Sequence, residues 1–323
     1  MRRSVVLACA CLALGFVPTL ISAQDSPVIA RHGALTLYAP VFYAGFSGKH
    51  KGLVIDALDV PDTGAEATVE RRWEGDLGGA WLSVTCALAI NDKAGIRGSG
   101  AILVPHTTTG RQNTEFGLVY PDVRAKSYYW DVSVYWQIGE MSRAFACFRW
   151  DYVEADFFRY QTVLTGAFAI RRDGVHRFDV NAYLPYLGVE IAYPSSGGNL
   201  TIGALGFPLV PGNFQEGVGD ASDMGALGSL MTGSENTLAF STGYFVELYC
   251  NYSRRFLGDG LLGGFLKWDA IRARTTDITT NINNNATGFL VGRGPSNPHT
   301  YSYGFIKETF TVGASVSLDF QLL

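Results

Sequence analysis

The sequence predicts an all-β fold: a single antiparallel transmembrane β-barrel of about 12 strands, within a range of about 10–14, with long external loops. Three observations carry this expectation. Apolar and polar residues alternate with period two along most of the chain, and no long segment has a helical period. Beyond residue 23 no apolar run approaches the roughly 18–20 residues of a spanning helix. Finally, 38 Gly, 20 Phe, 16 Tyr and 6 Trp accompany only 17% charged residues and a positive mean hydropathy. That balance suits strands that are apolar on one face only.

The chain opens "MRRSVVLACACLALGFVPTLISAQD". A basic start at Arg2 and Arg3, an apolar stretch from Val5 to Ile21 and small residues before Gln24 are the three parts of a secretory signal peptide. The expected division is therefore 1–23 signal peptide and 24–323 barrel domain. Gln24 at the cut, where a lipoprotein needs cysteine, implies export without lipidation. Two of the 25 basic residues lie in the leader, leaving 23 against 29 acidic ones, which argues against nucleic-acid binding. Cys86, Cys147 and Cys250 show no metal-site spacing and are expected to be small buried apolar residues.

Each strand then justifies itself by phase. In "GAWLSVTCALAI" Leu82, Val84, Cys86, Leu88 and Ile90 oppose Ser83 and Thr85. In "KSYYWDVSVYWQIG" Tyr128, Trp130, Val132, Val134, Trp136 and Ile138 oppose Asp131, Ser133 and Gln137. Trp130 and Trp136, about 20 Å apart at β-strand rise, are placed to reach opposite membrane interfaces. "AFACFRWDY" sets Phe148, Trp150 and Tyr152 against Arg149 and Asp151. "NTLAFSTGYFVELYCNYS" sets Leu238, Phe240, Tyr244, Val246 and Leu248 against Ser241, Gly243, Glu247 and Asn251. "LLGGFLKWDA" sets Leu262, Leu266 and Trp268 against Lys267 and Asp269. Further candidates are 34–44, 51–60, 65–74, 95–105, 114–121, 160–171, 176–193 and 198–207. "INDKAGI" and "GEMSRA" read as tight turns, and 207–235 and 275–300 as long loops.

"TFTVGASVSLDF" places Phe310, Val312, Ala314, Val316, Leu318 and Phe320 on one face, opposite Thr309, Thr311, Ser315, Ser317 and Asp319. With the leader and the strand pattern, this long final strand resembles the closing strand of Gram-negative bacterial outer-membrane β-barrels. It departs from them in carrying Gln321, Leu322 and Leu323 after the aromatic residue. The resemblance is architectural and identifies no subfamily. It implies location in the cell outer membrane, with outer-membrane lipid, lipopolysaccharide and the barrel assembly machinery as partners. The same alternation would also suit a secreted β-sandwich, but several strands of ten or more residues and the closing strand favour the barrel.

The inward phase collects Asp131, Arg149, Asp151, Glu247, Lys267 and Asp269 as lumen-lining residues. Such side chains either pair with one another or impose a mixed field on small solutes in a pore. For chemistry, His106, Thr108 and Gly110 in "PHTTTGRQN" loosely resemble the His-x-Ser pattern of barrel lipid hydrolases, without an evident acid to orient the histidine. The paired-acid plus Asp-His arrangement of outer-membrane proteases has no match. Asp220 and Asp223 are too few for a calcium site, and "GRGPSNP" at 292–298 reads as a loop. The expectation is a non-enzymatic barrel without metal or cofactor, either a porin-like channel for small polar solutes or a structural protein. A lipid hydrolase and a surface-loop adhesin or receptor are the alternatives.

Overall fold

The structure is a computed structural model that describes residues 36–47, 52–60, 66–91, 93–114, 117–161, 176–195, 198–218, 236–255, 261–280 and 299–317. The signal segment, most of the candidate strand 160–171, Asp220, Asp223, 292–298, Asp319 and Phe320 lie outside the described residues.

Sixteen strands form one antiparallel sheet, and among the described residues they join into ten staves. β1 (Thr36–Ser47) and β2 (Leu53–Asp59) make the first, and β3 (Thr68–Gly75) and β4 (Gly79–Ala89) the second. β5 (Ala94–Leu103), β6 (His106–Thr109) and β7 (Arg111–Thr114) make the third. β8 (Gly117–Gln137), β9 (Ser142–Gln161) and β10 (His176–Ser195) are each one stave. β11 (Gly198–Phe207) and β12 (Gly212–Val218) follow as the next, then β13 (Asn236–Arg255). β14 (Leu261–Thr275) with β15 (Ile278–Thr280), and finally β16 (His299–Ser317), complete the set.

Each stave pairs with its neighbours in sequence. β16 then pairs with β1, from Val41↔Ser317 to Ser47↔Thr311, and with β2, from Tyr301↔Asp59 to Lys307↔Leu53. The pairing circuit closes, as a sheet in lipid must.

The count sits at the low end of the expected range because β9, β10 and β13 run 20 residues each. That is about twice the 9–11 residues a membrane strand needs. Residues 117–121 of the candidate 114–121 and the strand after it both belong to β8, while Thr114 ends β7. The proline that separates them, Pro121, falls at a register shift between Tyr120 and Asp122, where a missing N–H is tolerated. The expected loop 207–235 contains β12, and the loop 275–300 contains β15. A second shift, between Phe240 and Thr242, turns Leu238 into the interior rather than outward with Tyr244. Cys86 is exposed on the outer wall rather than buried.

The outer wall divides into two zones. Trp130, Val132, Val134 and Trp136 on β8, Leu187, Val189 and Ile191 on β10, and Val312 and Val316 on β16 are exposed apolar side chains. At one edge of this band Tyr128, Trp130, Trp150 and Tyr152 form an aromatic group with centroids 4.8–6.2 Å apart. Beyond it the outward positions carry ion pairs: Lys126–Glu154 at 2.6 Å, Arg177–Asp156 at 2.8 Å and Arg72–Asp56 at 2.6 Å. An apolar band ending in aromatics matches the lipid-facing surface of a transmembrane barrel. The paired charges above it face water.

The interior inverts in step. Level with the apolar band the inward residues are mostly polar, among them Asp131, Ser133, Arg149, Thr311 and Ser315, with Phe145, Leu184, Tyr186 and Leu205 between them. Above the belt the same staves turn Val123, Ala125, Val153, Phe157, Phe178, Phe214 and Phe305 inward, all buried. Rings interlock there, with Trp73–Phe178 at 5.1 Å, Phe157–Phe178 at 5.8 Å and Phe178–Phe214 at 5.7 Å. The upper half is thus built like a water-soluble barrel with a dry core, and the lower half like a membrane barrel with a polar one.

Candidate functional site

All six residues expected to line the lumen point inward. Asp131, Arg149, Asp151, Glu247 and Asp269 are buried, and the Lys267 side chain is 15% exposed. They meet one another. Arg149 donates to Glu247 at 2.8 Å and to Asp131 at 3.1 Å. Lys267 lies 3.0 Å from Glu247 and 3.9 Å from Asp269, and Asp269 also accepts from the Thr309 hydroxyl. The Arg149 guanidinium stands over the rings of Tyr129 at 4.2 Å and Phe245 at 5.0 Å, which cover its faces while the carboxylates take its edge.

Four further members escaped the sequence reading. Lys307 donates to both oxygens of Asp151 at 2.7 and 2.8 Å. Glu190 accepts from Tyr249 and lies 3.5 Å from Arg97 and 3.7 Å from Arg143. Extending the phase of the last strand two residues back from Thr309 would have found Lys307. Applying the same parity to 95–105 would have found Arg97. Among the described residues the membrane-level lumen therefore holds Arg97, Arg143, Arg149, Lys267 and Lys307 against Asp131, Asp151, Glu190, Glu247 and Asp269, a balanced set. Buried charges survive only when paired.

Some of these contacts cross the barrel. Following the circuit from β9 through β10, β11, β13 and β14 to β16 places Lys307 and Asp151 on diametrically opposite staves. Lys267 on β14 and Tyr129 on β8 are opposite in the same sense, and their side chains meet at 2.8 Å. A cavity of about 30 Å³ lies beside these contacts, lined by Trp81, Ser83, Lys267, Asp269, Lys307 and Thr311 with their neighbours.

Above the belt, Glu216 on β12 is buried beneath aromatic rings. It accepts a hydrogen bond from the Tyr303 hydroxyl, and Tyr303 stacks on Phe214 at 4.8 Å. Burial pushes its carboxyl above the usual range, against the pull of that hydrogen bond. His106 Nδ1 lies 3.3 Å from the Val104 carbonyl, and the Thr108 hydroxyl is buried without a hydrogen-bond partner among the described residues.

The chain is similar in structure to the outer-membrane protease OmpT of Escherichia coli, with a TM-score of 0.58 at 10% identity over 91% of this chain and 100% of that one. Weaker likenesses are the translocator domain of the Neisseria meningitidis autotransporter NalP (TM-score 0.34, 13% identity, 97% and 95% covered) and a Pseudomonas aeruginosa FadL homologue (0.33, 10%, 89% and 90%). No family model and no curated protein matches the sequence. The fold is that of Gram-negative outer-membrane β-barrels, with no subfamily identified.

Proposed function

We propose that this outer-membrane barrel is a non-catalytic structural protein, closed through its lumen, that holds a rigid stem above the outer leaflet. The observation that carries this reading is the Lys307–Asp151 contact between opposite staves. A solute path down the axis has to pass between side chains already in hydrogen-bond contact, and then through the ring-packed core above them. The stem is supported by its own dry core and by a charged outer wall, both unnecessary for a span and useful for display. Lipid and lipopolysaccharide are the surroundings that the apolar band and the charges above it fit.

The protease named in the Escherichia coli neighbour is not carried across, because a shared barrel hosts many functions. The bond from His106 runs to a backbone carbonyl rather than to a carboxylate, which supports a non-catalytic role for it. Planar-bilayer recording of the purified, heat-modifiable barrel tests the proposal. No discrete current steps are expected. Regular unitary steps from the folded wild type would overturn it in favour of a porin-like channel.

A further inference from the structure

The lumen is filled unevenly. On β8, β9 and β10 the inward positions carry large or charged side chains that are buried, such as Asp131, Arg149, Tyr186 and Glu190. On β4, β5 and β14 the small or hydroxylated, half-buried Ser83, Thr85, Ser99 and Gly263 alternate with larger inward residues, among them Trp81, Arg97, Phe265 and Lys267. Thr85 and Ser99 hydrogen-bond across that wall at 3.1 Å. A polar lane therefore runs up this side from the short-turn end. It stops at the cavity of about 30 Å³ below Lys307, which has room for one or two water-sized species.

The lining of the closed end sets two ammonium groups against one carboxylate. An ammonium carries three N–H groups. Lys307 directs its short contacts to the two oxygens of Asp151, leaving a third N–H beside the cavity. Lys267 has acceptors at 2.8 Å in Tyr129 and 3.0 Å in Glu247, while Asp269, at 3.9 Å, is beyond hydrogen-bond reach. The Ser83 and Thr311 hydroxyls can donate as well as accept, and Asp269, the one carboxylate in the lining, accepts from Thr309 through Oδ1. Two ammonium groups against one carboxylate, with hydroxyls free to turn their protons inward, give the lining an excess of positive charge that suits a small anion.

We propose that this cavity binds a small monovalent anion of halide size, entering along the hydroxyl-lined lane. Bulky organic anions such as gluconate exceed the space. The site stands whether or not the barrel conducts, since it needs only the folded lumen.

A guest that binds only the folded state raises stability in proportion to its occupancy. Chloride added to folded barrel in gluconate medium of constant ionic strength should raise the melting temperature along a saturating curve. Ser83→Ala with Thr311→Val removes two hydroxyls and no charge, and should shift the half-saturating chloride concentration upward by about tenfold, as for a lost hydrogen bond. Crystals of the wild type grown in bromide should show an anomalous peak between Lys307 and Thr311. A chloride response that is absent, or identical in the double variant, would overturn the proposal. So would a cavity without bromide, which would then hold water alone.

Discussion

Deleting one partner of the Lys307–Asp151 pair tests whether side chains hold the lumen shut. The two side chains are 1% and 2% exposed, so losing either strands the other's charge in the interior, at a cost of about 3–5 kcal/mol. The Arg149 guanidinium directs its hydrogen bonds to Asp131 and Glu247, so it acts on Asp151 only as a neighbouring charge and does not replace the lost contact. Lys307→Met and Asp151→Leu should therefore each lower the urea midpoint sharply. Combined, they set two apolar side chains against each other, and such replacements range from neutral to about 1–4 kcal/mol stabilising. The double-mutant cycle should return a coupling at or above the roughly 0.5–3 kcal/mol of ordinary neighbours. The assay is equilibrium urea unfolding in micelles, followed by tryptophan fluorescence and by gel mobility without boiling. Single losses below about 1 kcal/mol that simply add in the double variant would refute the contact across the lumen.

Three further outcomes follow from the two-zone wall. Val132→Arg, in the lipid band, should cost about 2–4 kcal/mol, whereas Thr237→Arg, exposed on the upper wall, should stay within about 0.5 kcal/mol; equal losses of folded barrel would mean the band is misplaced. Phe178→Ala removes a fully buried ring packed on Trp73, Phe157 and Phe214 and should cost about 3–5 kcal/mol, a value that calorimetry near zero would contradict. Glu216 has its folded pKa raised by burial, so its charge destabilises fully above that folded value, and the penalty fades as pH falls through it and is gone below the unfolded one. Glu216→Gln should thus stabilise the barrel at neutral pH with a margin that shrinks on acidification, and a margin unchanged down to about pH 4 would be inconsistent with it.

How much of this was legible depended on distance along the chain. Phase is a local property, so the alternation in "AFACFRWDY" correctly turned Arg149 and Asp151 inward, and the same logic placed Glu247, Lys267 and Asp269. What alternation alone hides is a change of solvent partway up a strand. On β8 the odd positions read Val123 and Ala125, then Asp131 and Ser133, all on one face. One apolar parity cannot describe such a stave, and the candidates 114–121 and "KSYYWDVSVYWQIG" accordingly cover β8 as two strands. The lumen face is closely packed as well, since Ser133 is buried and donates to the Arg97 carbonyl at 3.3 Å. Which staves oppose each other is a property of the closed circuit, and no local pattern records that Lys307 and Asp151, 156 residues apart, share a hydrogen bond.

The inversion has a physical cause that ties the fold to the proposed role. Inside the membrane the wall is surrounded by hydrocarbon, so apolar side chains gain little by turning inward, and the lumen holds together mainly through polar contacts with a few rings such as Phe145 and Tyr186 packed among them. Above the belt water surrounds the same staves, and burial of Phe157, Phe178, Phe214 and Phe305 is again favourable. A barrel taller than its membrane must therefore exchange its interior at the water line. In this chain the exchange falls just above Asp151 and Lys307, with Val153 and Phe305 as the next inward residues on their staves. The charged pair thus sits directly beneath the dry core and seals its floor. An open pore needs a continuous wet column, and this arrangement interrupts the column at the level where the two halves of the barrel meet.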